Sequence, residues 1–566
     1  MFASISEILR SLIYTFLSDF ILNSKRKLCC RTVSEGHVGL TDNSDIEPAV
    51  DWQFLYYLFT IFIILIFNIK VLNMRLSLIF CCLLLIANSA YSQSEKPNII
   101  YILADDLGIG DVSVYNKGSK IQTKNIDALA TEGMRFTDAH SGSAVCTPTR
   151  YGILTGRYAW RTRLQKSVLW GYDTALIARD RYTLANLFKN KGYNTACIGK
   201  WHLGLGWQKD KSDSVDFSLP LSSGPNSAGF DYSYIISASL DIPPYVYIEN
   251  QRVSTRKIEN IKQNKGAGFW REGSIGKGQK HSEVLDDFTN RAITYIEDQA
   301  RKKTEPFFLF LPLTSPHTPI LPTKEFKGKS GINPYADFVL MTDAVLGKIK
   351  VVLKETGLDK NTIIVFTSDN GASPMSDFKT LESKGHHASG NYRGAKADIY
   401  EGGHRIPFIV KWPGKVAPNS LSSQTISLTD FMATAANIIG SKLSDNQAED
   451  SFSILPILLN KPVDYKRESI IHHSIDGKFA IRKGDYKLIL ARGSGGWSAP
   501  TESVAAKSNL PPIQLYNLKT DVKEQHNLAA SLPAVVSDLS ELLKKQIEAG
   551  RTTEGSRQNN DVVVRF

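Results

Sequence analysis

The sequence has no long lysine- or arginine-rich run, no zinc-finger spacing and no RNA-binding aromatic signature, so its basic excess is not a nucleic-acid footprint. It has no internal repeat, which excludes solenoid architectures. Cysteine is scarce. Of the six, Cys29, Cys30, Cys81 and Cys82 precede residue 93, leaving Cys146 and Cys197 for everything after it. A disulfide-stapled scaffold is thereby excluded, and an unpaired cysteine in an exported chain calls for a chemical reason.

Hydrophobic residues make up 42% and charged residues 22% of the 566, a globular balance, and the length suits one large core with a smaller satellite or two to four ordinary domains. The formal charge of +11 suits anionic partners, among them sulfated glycans, nucleic acid and anionic lipid, and charge alone does not choose. Residues 74–92 (MRLSLIFCCLLLIANSAYS) combine one arginine, an apolar core from Leu76 to Ala87 and small residues at Ala90 and Ser92, the layout of a secretory signal peptide. That core falls short of the ~20 residues a membrane span needs. The expectation is a secreted or periplasmic protein, cleaved after Ser92, without stable membrane insertion. Residues 1–73 carry a second apolar stretch, 54–69, broken by Thr60 and Asn68. They read as a misassigned upstream extension, with a transmembrane segment as the alternative.

From Lys96 onward, apolar strand-like runs alternate with amphipathic helical stretches. Residues 98–104 (NIIYILA), 194–199, 307–311 (FFLFL) and 362–367 (TIIVFT) predict strands, and 125–133, 281–299 and 335–356 predict helices. This alternation predicts an α/β catalytic domain over 93–440, its central sheet mainly parallel and flanked by helices. Composition shifts after about Gly440. Residues 479–490 predict a hairpin turning at Lys483-Gly484-Asp485, and 533–549 a last amphipathic helix. These give a smaller C-terminal α+β subdomain with an antiparallel sheet over 441–566. Residues 493–510 read as a loop, and the polar tail after Gly550 as loose.

In a parallel sheet the chemistry collects beyond the carboxyl ends of the strands. Asp105-Asp106 stands at one such end and Asp369-Asn370-Gly371 at another. Singly, each is a turn or a helix cap; together they are hard oxygen donors suited to calcium or magnesium rather than zinc. Between them in sequence lies Cys146-Thr-Pro-Thr-Arg150, followed by Leu154-Thr-Gly-Arg157. These segments resemble the signature of the type I sulfatases, C-x-P-x-R then L-T-G-R, the formylglycine-dependent, arylsulfatase-like branch of the alkaline phosphatase superfamily. The resemblance extends over 96–528. Lys200 and His202 in GKWHLG, His317 in SPHTP, Lys396 ahead of Glu401-Gly-Gly, and the closing LYNLKTDVKEQHNLA fall in the family's order, with Asn517 replacing the commoner Asp. Ser239, after Gly229-Phe230, is a looser carry-over as a substrate contact.

The resemblance implies that a formylglycine-generating maturation enzyme oxidises Cys146 to 3-oxoalanine, whose hydrated aldehyde attacks sulfur. One Ca2+ would sit among Asp105, Asp106, Asp369, Asn370 and residue 146. Lys200 and Lys396 would clamp sulfate oxygens, and the Arg150 fork would hold the gem-diol. His317 would protonate the leaving alcohol, and His202 would take the proton whose loss expels sulfate. A serine, with one hydroxyl, could not perform that last step. The expected substrate is a sulfated polysaccharide or oligosaccharide, with no nucleic-acid partner. One rival is a phosphorus-ester hydrolase of similar fold, although no second His/Asp ligand set for a multi-metal cluster is seen. The other is a silent glycan binder, although every catalytic position is retained. His472-His473 is open between reaching the sugar and a structural role, and Cys197 reads as a buried strand residue.

Overall fold

A computed structural model of the protein describes residues 11, 14, 15, 18, 52–90, 96–302, 305–461, 465 and 467–565. They fall into two units, Met1–Ser94 and Glu95–Phe566. The first contains helix α1 (Trp52–Ala90), which runs through both apolar stretches without ending at Met74. Its segment Leu55–Leu72 is long and apolar enough to cross a membrane by length and composition. The cleavage point after Ser92 and the pair Cys29-Cys30 lie outside the described residues.

In the second unit, continuous apolar runs become strands covered on both faces. The main sheet has ten strands: β1 (Asn98–Asp105), β2 (Met134–Phe136), β3 (Asn194–Lys200), β4 (Tyr232–Ile236), β5 (Ile248–Glu249), β6 (Arg252–Val253), β7 (Phe307–Pro316), β8 (Thr362–Ser368), β9 (Phe408–Lys411) and β10 (Ser420–Ser422), in the order β10-β2-β9-β8-β1-β7-β3-β4-β5-β6. The neighbours from β8 to β4 all run parallel, whereas β9 and β5 join them antiparallel. This is the expected α/β class. Along β1, Ile99, Tyr101 and Leu103 pack toward one face with Leu154 and Phe431. Ile100, Ile102 and Ala104 pack toward the other with Leu129, Phe288 and Leu346. Helices α2 (Lys124–Thr131), α4 (Val284–Lys302) and α5 (Pro334–Glu355) therefore cover one side, and α3 (Cys146–Thr155) and α6 (Phe431–Ile438) the other. With both sides buried, no period-two polarity marks these strands.

Two element ends differ from expectation. Strand β7 continues past Leu311 to Pro316. Its Pro312 falls where the register with β1 becomes irregular, between Leu103 and Asp105, and a missing N–H is tolerated there. Helix α2 stops before Gly133, because that residue packs onto the Val410 carbonyl, where a Cβ would fall 2.2 Å from the oxygen.

A four-stranded antiparallel meander follows: β11 (Ile470–His473), β12 (Phe479–Lys483), β13 (Tyr486–Ile489) and β14 (Gln514–Asn517). The expected hairpin is β12–β13. Gly484, with φ 58°, supplies the positive dihedral its two-residue turn requires. The last helix, α7 (Pro533–Glu548), lays Leu539, Leu543 and Ile547 on Ile471, Ile481 and Leu488. The 493–510 loop contains a short helix, Glu502–Lys507. The tail after Gly550 is not loose. Arg157 donates to the Asn559 carbonyl at 3.0 Å and to Asp561 at 3.0 Å, and Arg161 donates to Asn560 at 2.9 Å. The tail, though largely exposed, supplies partners to two buried arginines.

Candidate active site

Four parallel strands deliver side chains to one edge of the sheet. Asp105 ends β1, Lys200 ends β3, His317 follows β7, and Asp369-Asn370 follows β8. Asp106 takes a left-handed φ of 65°, which turns the chain at once after the strand. Cys146 is the first residue of α3, preceded by extended Val145, so the sulfur sits at a helix N-terminus where backbone N–H groups favour an anion.

These residues meet in a buried network. Arg150 donates from Nε and Nη2 to Asp369 Oδ2 at 3.1 and 2.7 Å, and from Nη1 to the Lys200 carbonyl at 2.8 Å. Lys200 Nζ lies 2.6 Å from Asp105 Oδ2, and Lys396 Nζ 2.7 Å from the Asp106 carboxylate. Asn370 Nδ2 donates to Asp106 Oδ1 at 2.7 Å, and His317 Nε2 stands 3.6 Å from Asp106 Oδ2. His202 donates Nε2–H to the Leu169 carbonyl at 2.8 Å, which leaves Nδ1 buried and unpartnered. Ser239 is buried beyond β4 but hydrogen-bonds to none of these residues. The structure thus brings together every expected catalytic and metal residue, and does not tie Ser239 to them.

Burial alone raises the Asp105 carboxyl, but Lys200, His317, Arg150 and Lys396 more than offset it and hold it well below the usual carboxylate range. Asp369 is pushed up to about 6 by burial and by the charge of Asp105. His202 is held well below its ordinary value by burial and by the cations Lys200 and Arg150, which favours the neutral ring. Burial pushes the Cys146 thiol up despite Lys200 and Lys396. As a thiol it is not an activated nucleophile.

The carboxylates leave specific acceptors open. Asp105 Oδ1 and Asn370 Oδ1 are buried with no hydrogen-bond partner. Ligating atoms of Asp105, Asp106 and His317 lie within 4.8 Å of one another, as do those of Asp105, Cys146 and Asp369. Unpaired oxygens facing a cluster of carboxylates fit a hard divalent cation.

A family model described as Sulfatase matches residues 97–441. This chain belongs to the sulfatase family. As such it is a sulfuric ester hydrolase. It is 36% identical over 493 residues to an N-acetylgalactosamine-6-O-sulfatase of Bacteroides thetaiotaomicron, covering 80% of this chain and 93% of that one. It is 30% identical over 496 residues to human arylsulfatase A, covering 83% and 92% of the two chains. A solved sulfatase from the glycosaminoglycan metabolism of Bacteroides thetaiotaomicron superposes with a TM-score of 0.71 at 35% identity, covering 80% of this chain and 99% of that one.

Several supports of this sulfatase site are invisible in the sequence. Tyr335 donates to the Asp106 carbonyl at 3.1 Å and to Asp111 at 2.6 Å, and Asp111 is also bonded by His386 at 2.8 Å. Behind the Cys146 loop lies a second buried cluster. The Ser141 N–H donates to the His404 carbonyl and the Ala144 N–H to the His473 carbonyl, at 2.8 and 2.9 Å. Lys487 Nζ lies 3.0 Å from His404 Nε2, His404 Nδ1 lies 3.0 Å from His140 Nδ1, and His140 Nε2 lies 2.8 Å from Asp138. His472 stacks on His404 with ring centroids 3.7 Å apart. His472 and His473 are both buried in this cluster. Free Cys197 is likewise buried, within β3.

Proposed function

We propose that this sulfatase removes sulfate esters from sulfated carbohydrates, with Cys146 oxidised to formylglycine and one Ca2+ held by Asp105, Asp106, Asp369 and Asn370. The observation that carries the reading is the buried meeting of Arg150, Lys200 and Lys396 around unpaired carboxylate and amide oxygens, beside a cysteine that is inert as a thiol. When bound, calcium supplies a Lewis-acidic contact for a sulfate oxygen. Formylglycine, made by a maturation enzyme, supplies a hydrated aldehyde with two hydroxyls.

The chain's own residues do the rest. Lys200 and Lys396 hold the anionic ester, and Arg150 orients residue 146 from the base of the pocket. His317 donates its Nδ1–H to the Thr318 carbonyl, which leaves Nε2 as the atom that, in the doubly protonated ring, would deliver a proton to the departing alcohol. The Leu169 carbonyl fixes the His202 tautomer, so the bare Nδ1 is the atom that accepts a proton. Sulfated N-acetylgalactosamine is the first sugar to test, by analogy with the relative named above. Export through residues 74–92 completes the reading, and N-terminal sequencing of protein recovered outside the cytoplasm should begin at residue 93.

The deciding experiment is sulfate release from a panel of sulfated oligosaccharides by protein co-expressed with a formylglycine-generating enzyme. Release should vanish in Cys146→Ala and after calcium chelation, and return with calcium. Silence across the panel, with residue 146 shown by mass spectrometry to be the aldehyde, would overturn the carbohydrate assignment.

A further inference from the structure

Beside the buried site stands a solvent-facing arrangement that the sulfate chemistry leaves unused. Leu169, whose carbonyl holds His202 and whose N–H donates to Thr147 at 3.2 Å, is followed directly by Trp170. This tryptophan is 50% exposed, although it is among the largest apolar side chains of the molecule. It is held firmly. Its backbone N–H donates to Asp173 Oδ2 at 2.7 Å, the next residue, Gly171, packs on the Pro243 carbonyl, and the Trp207 indole N–H donates to the Gly171 carbonyl at 2.9 Å. The Arg271 guanidinium lies over the indole, 5.0 Å from its centroid, and 5.1 Å from that of Phe269. Arg271 Nη1 is anchored to Asp241 at 2.7 Å through the side chain and 2.9 Å through the carbonyl. Its Nε and Nη2 donate to no protein group among the described residues, and the side chain is 39% exposed. Asp241 lies four residues beyond Ser237, whose carbonyl accepts from the His202 N–H at 3.1 Å, so this loop also borders the site.

A half-exposed indole beside an arginine with N–H groups left unspent is the chemistry that recognises an anionic pyranose. The ring stacks by its C–H face, and the carboxylate or sulfate takes the two free N–H directions. We propose that Trp170 and Arg271 form a subsite for a negatively charged sugar linked to the unit that loses sulfate, which makes the preferred substrate an acidic oligosaccharide rather than an isolated sulfated sugar. The proposal rests on the carbohydrate reading above and narrows it. Asp241 is a positioning residue, since it restrains the guanidinium and leaves the fork's other edge open.

The test compares three substrates that present the same sulfated N-acetylhexosamine: alone, linked to a uronic acid, and linked to a neutral hexose. An aryl sulfate serves as the substrate without any sugar. In Arg271→Ala, KM for the uronate disaccharide should rise about tenfold with kcat held, while the monosaccharide and the aryl sulfate are unchanged. Arg271→Lys should recover part of the loss, because it keeps the charge and not the fork. Trp170→Ala should weaken both disaccharides and spare the other two substrates. Equal effects on all four substrates, or no effect on either disaccharide, would overturn the subsite. If wild type releases sulfate from no sugar, the carbohydrate reading has failed. Calorimetric binding of the sulfated uronate disaccharide to Cys146→Ala, with and without Arg271→Ala, then decides the subsite separately: a tenfold loss supports it and equal affinity removes it.

Discussion

Arg150 shows what a single side chain contributes beyond its charge. Its guanidinium is fully buried and spends three of its N–H directions, two on Asp369 and one on the Lys200 carbonyl. A lysine would keep the charge but reach these partners with one atom. In Arg150→Lys, Asp369 is left poorly compensated in a dry site, and the end of β3 loses its tether. The expected cost is about 2–4 kcal/mol in urea unfolding, with kcat/KM for sulfate release lowered at least ~10²-fold. Stability within error of wild type would mean that the fork is dispensable. Residues of this kind were legible in the sequence because the chemistry restricts them. Cys146 and Arg150 sit at fixed helical spacing, and Asp105-Asp106 and Asp369-Asn370 directly follow long apolar runs. Tyr335 and His386, which brace Asp106 and Asp111, were not legible, since a tyrosine or histidine on a helix or loop has many bland uses.

Among the elements, the apolar runs of β1, β7 and β8 announced themselves, whereas their ends did not. Pro312 and Pro316 lie inside β7, where the ladder is already irregular. The 243–281 segment is pinned by an aromatic stack. Trp270 lies on His281 with centroids 4.5 Å apart at 10°, and Tyr245 meets the same ring edge-on at 4.5 Å. Burial lowers His281 from 6.5 to about 4. Between these values the unfolded chain binds the proton and the folded chain does not. The stability that depends on a neutral ring is therefore present above pH ~6.5 and lost as pH falls toward ~4, by roughly 3 kcal/mol at the acid end. His281→Phe keeps the stacked ring and removes the titration. Urea unfolding at a series of pH values should give a shallower acid decline for the variant than for wild type. Parallel curves would assign the decline to other groups.

At the scale of the molecule, contacts between residues far apart in sequence are what reading along the chain could not supply. His140, His404, His472 and Lys487 carry no spacing signal, yet they meet beneath the Cys146 loop. The tail is the clearest case. Its polar composition reads as solvated, but residues 559–561 return to the segment just after α3, the helix that begins with Cys146. There Arg157 has Glu449 at 3.5 Å and Asp561 at 3.0 Å, while Arg161 is paired with Asp450 at 2.8 Å. Removing everything after Gly550 would leave Arg161 its carboxylate and strip Arg157 of its closer one. Asp561 is half exposed and the contact with Glu449 remains, so the cost falls below the ~3 kcal/mol of a broken buried pair, at about 2 kcal/mol. The truncated protein should fold, retain sulfate release at low temperature, and melt several degrees earlier. Asp561→Asn in the full chain should reproduce part of the Tm loss. Unchanged melting of both variants would mean that the clasp contributes nothing and that Glu449 alone satisfies Arg157.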